Sequence, residues 1–493
     1  MKPLLYKIIA LAAAFSMLFA LTSCININKP DGLTTESGET DTEPTSETDG
    51  NETQSDEPDY NIVENQFINQ INAYLNLAGS ADFGGASFLI ASPSTSLIDG
   101  EDKGLFLSEL YEARNRDVED KYNVVISTKK VDLNSMYDQL SAAKYTGEFY
   151  ADSVMIPQYA VQRFAVSGLL LNMNSLPFLD LDSGFNIESA VNAGSGRSTV
   201  WAVAGWSTLD EDILTGVFFN KDLVKETGLE DPYKLAHDDR WTWDAFFEYT
   251  SAVSGLDGTD GEKIYSYGSQ NAYISLADSV YFSEGNTFVS SGLGTTPVIS
   301  VDAESSSHTF ETFRKLYDDE NKIQNSLDAI KIFADGGAMF LIDQLGTMKT
   351  IKNSKAVWGI LPMPKKDVSQ ENYISLMPSD SMMIAVPNSN SGTEKAGRVI
   401  SALNICSVGY LIDYYLTNAM YYYLRDNSSI ENVEKICYSA VWDMAYTIGG
   451  YDSFIPNSTY FAVRDVFENG HDIQNYLDYY SSGANATLSR FFS

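Results

Sequence analysis

The chain has 493 residues, 44% of them hydrophobic, and its 67 acidic residues outnumber 32 basic ones to leave a formal net charge of −35. That balance excludes a nucleic-acid binder, because phosphate contacts need clustered lysine and arginine, and it argues against a strongly anionic ligand. Three cysteines in such a length imply no disulfide framework.

At the N-terminus, Lys2 and Lys7 flank a start followed by thirteen apolar or small residues, Ile8 to Ala20, that end in Leu21-Thr22-Ser23-Cys24. The run is shorter than the ~20 residues a membrane-spanning helix needs, and its layout is that of a cleaved export signal. The tetrad resembles the bacterial lipoprotein signal, which implies cleavage before Cys24, residues 1–23 as signal peptide, and a diacylglycerol on the Cys24 thiol. Two acyl chains suffice for stable anchoring, so the expected location is the extracytoplasmic face of the cell membrane. Residues 24–60 follow as a tether. From Asp31 to Asp59 there are eleven acidic residues and no lysine or arginine, a composition that cannot bury enough apolar surface to fold and that extends by self-repulsion.

From Tyr60 onward 29 basic residues face 56 acidic ones, a net charge near −27. The body is too long for one ordinary core and predicts two α/β lobes. Ala86–Ala91, Ser153–Ile156, Thr215–Phe219, Val357–Ile360 and Met382–Val386 read as strands buried on both faces, as in parallel sheets. Between them lie helices: Phe310, Phe313 and Tyr317 define one apolar stripe, with Glu311 and Lys315 placed to pair on the outer face. Ala396, Val399, Ile400 and Leu403 define another. A helix is expected to end at Gly168, which tolerates the left-handed turn. Thr242 is placed to cap a helix whose Trp243 and Phe246 face inward. Asp257 to Gly261 and Gly336-Gly337 read as turns. Cys406 and Cys437 are either one bridge or two buried thiols, and His237, His308 and His471 stand apart, without metal-ligand spacing. No nucleotide loop or nucleophile elbow is present, so no cofactor, metal or catalytic residue is expected. Alternating strands and helices make a doubly wound fold whose ligands sit at the carboxyl ends of strands.

Several motifs, in order, resemble the extracellular solute-binding proteins of family 1, which include sugar-binding receptors of ABC importers. Glu119-Asp120-Lys121-Tyr122-Asn123-Val124 is similar to that family's entry to its second strand. Ala151 to Pro157 with Ser167-Gly168-Leu169-Leu170 resembles its next segment, and Val200 to Ala204 with Gly216 to Leu223 its crossover between lobes. Trp241-Thr242-Trp243-Asp244-Ala245-Phe246, Phe333 to Met339, Trp358 to Pro364 and Met383 to Val386 resemble the later elements. The likeness runs from about Ala86 to Leu403. It implies two lobes of the type II periplasmic-binding-protein kind: 61–206 with 364–412, and 214–360 with 415–493, joined by hinge crossings.

Strand ends and crossings nominate Ser94, Gln158, Tyr159, Trp206, Asp210 and Asp380 as ligand-binding residues, with Ser92, Pro93 and Ser379 beside them. The resemblance adds Asp343 and Gln344, and implies a polar ligand contact at Tyr159. Where many sugar-binding relatives place a stacking tryptophan this chain has Leu345, or Gln344, leaving Trp206, Tyr159 or another tyrosine as the aromatic platform. The implied function is a non-enzymatic receptor that captures a small solute, an oligosaccharide above all, and hands it to membrane permease subunits of an ABC importer. An exported acidic glycoside hydrolase, the same receptor fold binding a peptide or other solute, and a scaffold are the alternatives.

Overall fold

A computed structural model describes residues 60–449, except 197, 257, 259, 260, 271–275, 325–327, 420–422 and 425, together with isolated positions beyond 449. The signal, Cys24, the tether and His471 lie outside the described residues, as does most of the turn at 257–261.

The chain opens with α1 (Tyr60–Leu77), then β1 (Ala86–Ser92), α2 (Leu105–Tyr122), β2 (Val124–Lys130), α3 (Leu133–Thr146), β3 (Ser153–Pro157) and α4 (Val161–Val166). After a crossing come β4 (Thr215–Asn220), α5 (Trp243–Ala252), β5 (Tyr265–Ser269), α6 (Leu276–Ser283), α7 (Ser307–Asp318), β6 (Ala338–Gln344), α8 (Thr347–Ile351) and β7 (Trp358–Leu361). The return brings β8 (Met382–Ala385), α9 (Thr393–Ser407), a π-helical segment (Val408–Ala419), α10 (Asn427–Tyr438) and α11 (Met444–Gly449). The helix through 393–416 is apolar and long enough to cross a membrane, but its burial marks it as core.

Two four-stranded sheets result, ordered β8-β3-β1-β2 and β7-β4-β6-β5, one for each α/β lobe. All five strands expected from the sequence are present. Their directions are not all parallel: β8 runs antiparallel to β3, and β4 antiparallel to both β6 and β7. The cause is connectivity. β4 is the first strand of its sheet after the crossing and β8 the strand that returns to the first sheet, and each enters at the end where its neighbouring strands finish, so it runs the opposite way. That reversal brings the starts of β4 and β8 beside the ends of β6 and β3, with Thr215 opposite Gln344 and Met382 opposite Pro157.

Local signals are realised where one residue settles them. Thr242 caps α5 by accepting from the Ala245 N–H, and Trp243 is fully buried beneath it. Phe246 stacks on Phe340 of β6 at 4.7 Å in the core of the second lobe. Gly168 adopts φ 63° just after α4, and Gly336 turns with φ 96°. Ala396, Val399, Ile400 and Leu403 are buried together on α9. The α7 stripe is rotated from expectation: Thr309, Thr312, Phe313 and Leu316 are buried, whereas Tyr317 is exposed, because Thr309 and Thr312 turn inward to donate to the buried Glu284 carboxylate. Lys315 pairs with Asp244. His308 Nδ1 lies 2.9 Å from Glu284. Cys406 and Cys437 are separate buried thiols, and burial pushes Cys406 up to about 12.

Candidate functional site

Three segments converge where β1 and β3 end. After Ser92 the chain turns through Ser94, whose hydroxyl shares a 2.8 Å hydrogen bond with Ser96, and Ser92 Oγ donates to the Ser94 carbonyl. The crossing contributes Asp210, which caps the 3-10 turn Glu211–Ile213 by accepting from the Asp212 N–H. The return loop contributes Asp380 and Ser381. Together they enclose a cavity of about 300 Å³, the small end of the range for ligand pockets. Its polar wall is Ser94, Ser96, Asp210, Asp380 and Ser381, and its apolar wall is Leu97, Ile213 and Met382.

Gln158 holds this loop in place. Its Nε2 donates to the Pro378 carbonyl (2.8 Å), Ser381 Oγ (3.1 Å) and the Met377 carbonyl (3.3 Å), while its N–H donates to the Ser381 carbonyl. Tyr159 stands beside it, 37% exposed, with its N–H on the Ser379 carbonyl. The other nominated residues are placed by packing rather than on the cavity wall. Trp206 is buried, donates from its indole to the Gly184 carbonyl and meets Tyr438 edge-on at 4.8 Å. Asp343 is buried and accepts from Gln344 N–H and Thr347 Oγ1, closing the turn into α8. Gln344 is half-buried at the end of β6, and Leu345 is fully buried. Sequence reasoning therefore brought Ser94, Asp210 and Asp380 to one wall, and missed Ser96, Leu97, Ile213, Ser381 and Met382, whose types carry no local signal.

It also missed an ionic clamp. Lys103, in the loop before α2, lies 2.5 Å from Asp210 and 3.1 Å from Asp212, while Lys349 of α8 lies 2.6 Å from Asp212. One lysine from each lobe thus grips the acidic turn of the crossing. The Asp210-Glu211-Asp212 run was visible in the sequence, but its cations stand 107 and 137 residues away. Burial alone would lower the Lys103 ammonium, yet the carboxylates of Glu211, Asp210 and Asp212 hold it well above its ordinary value. Three carboxylates against two ammonium groups leave one in excess: burial, then Asp212, push Glu211 up to about 7. The facing oxygens of the three acids lie within 4.8 Å of one another, but the two lysines already supply the positive charge a metal would bring. Asp380 has no ion-pair partner among the described residues, and burial, then the Asp210 carboxylate, raise its pKa.

Comparison with known proteins places this architecture. The model of a family described as bacterial extracellular solute-binding protein matches residues 113–403. No curated protein matches the sequence. Among solved structures, the cyclic alpha-maltosyl-1,6-maltose binding protein of Arthrobacter globiformis is similar with TM-score 0.55 and 12% identity, over 83% of this chain and all of that one. The sugar-binding protein MalE of Xanthomonas citri is similar with TM-score 0.55 and 10% identity, over 82% and 98%. UgpB of Mycobacterium tuberculosis, in complex with glycerophosphocholine, is similar with TM-score 0.51 and 15% identity, over 83% and 100%. At such identities the likeness speaks to fold, which is the two-lobed α/β architecture described above. The family is one of binders rather than enzymes, and since its model spans more than half of these 493 residues, the chain belongs to the bacterial extracellular solute-binding proteins.

Proposed function

We propose that this protein is the surface receptor of an ABC importer, anchored by lipid on Cys24, and that its solute is a neutral saccharide bound in the cavity of Ser94, Asp210 and Asp380. The observation that carries this reading is the cavity wall: three serine hydroxyls and two carboxylates. Hydroxyls donate and accept, and ionised carboxylates accept only, which suits the hydroxyls of a sugar. An anionic solute is disfavoured by Asp210 and Asp380: among the described residues Lys103 is the ion-pair partner of Asp210, and Asp380 has none. The lobes, taken as 61–206 with 364–412 and 214–360 with 415–493, close over the solute by hinge motion at the crossings. Binding selects the closed form because only there do both lobes touch the ligand. The closed form docks on permease subunits, and a separate ATPase supplies the energy.

The test is a thermal-shift and calorimetric panel of maltotetraose, cellotetraose and xylotetraose beside an oligopeptide, spermidine and glycerophosphocholine. A neutral saccharide is expected to stabilise the protein. Asp380→Asn should then weaken it about tenfold or more, since a hydrogen bond to a charged group contributes about 1.5–3 kcal/mol and 1.4 kcal/mol is a factor of ten. Stabilisation by spermidine or the peptide alone would sink the saccharide and leave the receptor standing.

Anchoring has its own measurement. In Cys24→Ser the protein should leave the membrane fraction or accumulate with residues 1–23 attached. Unchanged partitioning, with no lipid mass on the N-terminal peptide of the parent protein, would refute it.

A further inference from the structure

The acidic turn of the crossing holds more carboxyl groups than its cations balance. One oxygen from each of Asp210, Glu211 and Asp212 lies within 4.8 Å of the other two. Among the described residues two ammonium groups reach this set, and both pair with the aspartates: Lys103 at 2.5 and 3.1 Å and Lys349 at 2.6 Å. Glu211 Oε1 and Asp212 Oδ1 are shut off from solvent without a hydrogen-bond partner. An ionised carboxylate so placed has lost its hydration with no donor to replace it. The set therefore balances with one proton, and Glu211 is where it sits: burial, then Asp212, lift its carboxyl to about 7, whereas Lys103 and Lys349 hold Asp212 low against its own burial.

The groups that face Glu211 come from every side of the turn. Besides Asp210 and Asp212 they are Lys103, Tyr111 of α2, Lys349 of α8, Tyr415 of the π-helical segment and Cys437 of α10. Burial pushes Tyr111, Tyr415 and Cys437 up, so all three stay uncharged near neutrality. Asp380, on the return loop, faces Asp210. The turn that carries the proton is also part of the binding wall, because Asp210 and Ile213 line the cavity. Its backbone is tied to the second lobe: the Gly346 N–H donates to the Asp212 carbonyl at 2.9 Å and the Leu345 N–H to the Leu214 carbonyl at 2.8 Å.

We infer that Glu211 is a positioning residue for solute capture: its proton keeps the clamp balanced and so holds Asp210 and Ile213 where the solute meets them, which makes binding proton-linked. This rests on the cavity as the solute site and, for its probe, on the saccharide reading. A solute seated on this wall excludes water from the turn and raises the cost of ionising Glu211. The complex therefore holds the proton more firmly than the free protein does, and takes it from solvent. Affinity is full where Glu211 is protonated in both states, and falls as pH rises through its value of about 7 in the free protein. If the complex holds the proton about tenfold more tightly, affinity drops about fivefold between pH 6 and pH 8, and about half a proton is taken up per solute at pH 7.5.

The experiment uses the full chain, its Glu211→Gln variant, which keeps the shape and fixes the neutral state, and Asp413→Asn, which removes another carboxyl lifted to about 7 but placed in the π-helical segment. Affinity is measured by calorimetry at pH 6, 7 and 8, in two buffers of different ionisation enthalpy, for the tightest binder among maltotetraose, cellotetraose and xylotetraose. The parent and Asp413→Asn should weaken about fivefold over that range and take up protons. Glu211→Gln should bind at pH 8 as tightly as the parent does at pH 6, without the parent's proton uptake. A flat parent profile, or a Glu211→Gln profile equal to the parent's, overturns the inference; a merely structural glutamate would change affinity by one factor at every pH. Failure of Glu211→Gln to fold also overturns it, since the neutral side chain is the one the clamp is said to need. If none of the three sugars binds, the saccharide has failed, and Glu211 is judged by hydrogen exchange over 210–216, corrected for intrinsic rates. Protection that falls from pH 6 to pH 8 in the parent but not in Glu211→Gln supports the inference, and protection equal at both overturns it.

Discussion

Replacing Lys103 with methionine will lower the unfolding free energy by about 3 kcal/mol at pH 8, and by much less at pH 5. Lys103 is 8% exposed and pairs with Asp210 and Asp212, themselves 19% and 21% exposed. Removing one member of a buried ionic set strands the others, at a cost of about 3–5 kcal/mol, and the partial exposure of the aspartates together with Lys349 places this case at the low end. The pH dependence follows from Glu211, which burial and its acidic neighbours raise to about 7 in the folded protein. A carboxyl raised above its unfolded value contributes stability below that unfolded value and loses it as pH rises through the folded one. Without Lys103 the acids repel more strongly once ionised, so the gap between parent and variant must widen between pH 5 and pH 8. Urea unfolding at both pH values, with equal slopes for both proteins, measures it. A gap that is small or the same at both would mean that solvent screens the clamp.

Two truncations will behave oppositely. Removing residues 1–59 will leave melting unchanged, because an acidic low-complexity tether buries no apolar surface. Removing residues 1–79 will cost about 4 kcal/mol or more. Ile71 and Tyr74 of α1 are 3% and 9% exposed. Ile71 lies over Gly409, where an added Cβ would meet the tip of the Ile71 side chain and force it to shift. Tyr74 donates to Asp413 at 3.0 Å and Gln70 also donates to it. Burial pushes the Asp413 carboxyl up to about 7, against the lowering effect of the Tyr74 bond. Deleting α1 removes a buried isoleucine, an aromatic ring packed edge-on to Phe185 and both donors. Calorimetric melting, with hydrogen exchange at 408–416, reads the loss. Equal melting of the two truncations would show that α1 does not hold the π-helical segment.

Much of the architecture was legible because it depends on short-range chemistry. Runs such as Phe218-Phe219 and Ile384-Ala385 are buried on both faces of a strand whatever surrounds them. Thr242 caps a helix through a hydroxyl reaching three residues ahead, and Gly168 accepts a backbone conformation that a Cβ would resist. Ser94, Asp210 and Asp380 could be nominated because a doubly wound fold presents strand ends and crossings to its ligand. The ordered motifs from Glu119 to Val386 pointed to a solute-binding receptor. What the sequence could not state is anything that depends on which distant segments meet. Burial patterns do not record strand direction, so the reversal of β4 and β8 emerged only from where the crossings enter. The phase of α7 was decided by Glu284, whose buried carboxylate draws Thr309 and Thr312 inward at the expense of Tyr317. Trp206 was nominated as a ligand platform by type and position; its packing against Tyr438 and its bond to the Gly184 carbonyl could be read only from the fold. The clamp of Lys103 and Lys349 on the crossing exists only in the folded chain. It joins residues too far apart for any local propensity to couple, and only tertiary packing brings them together.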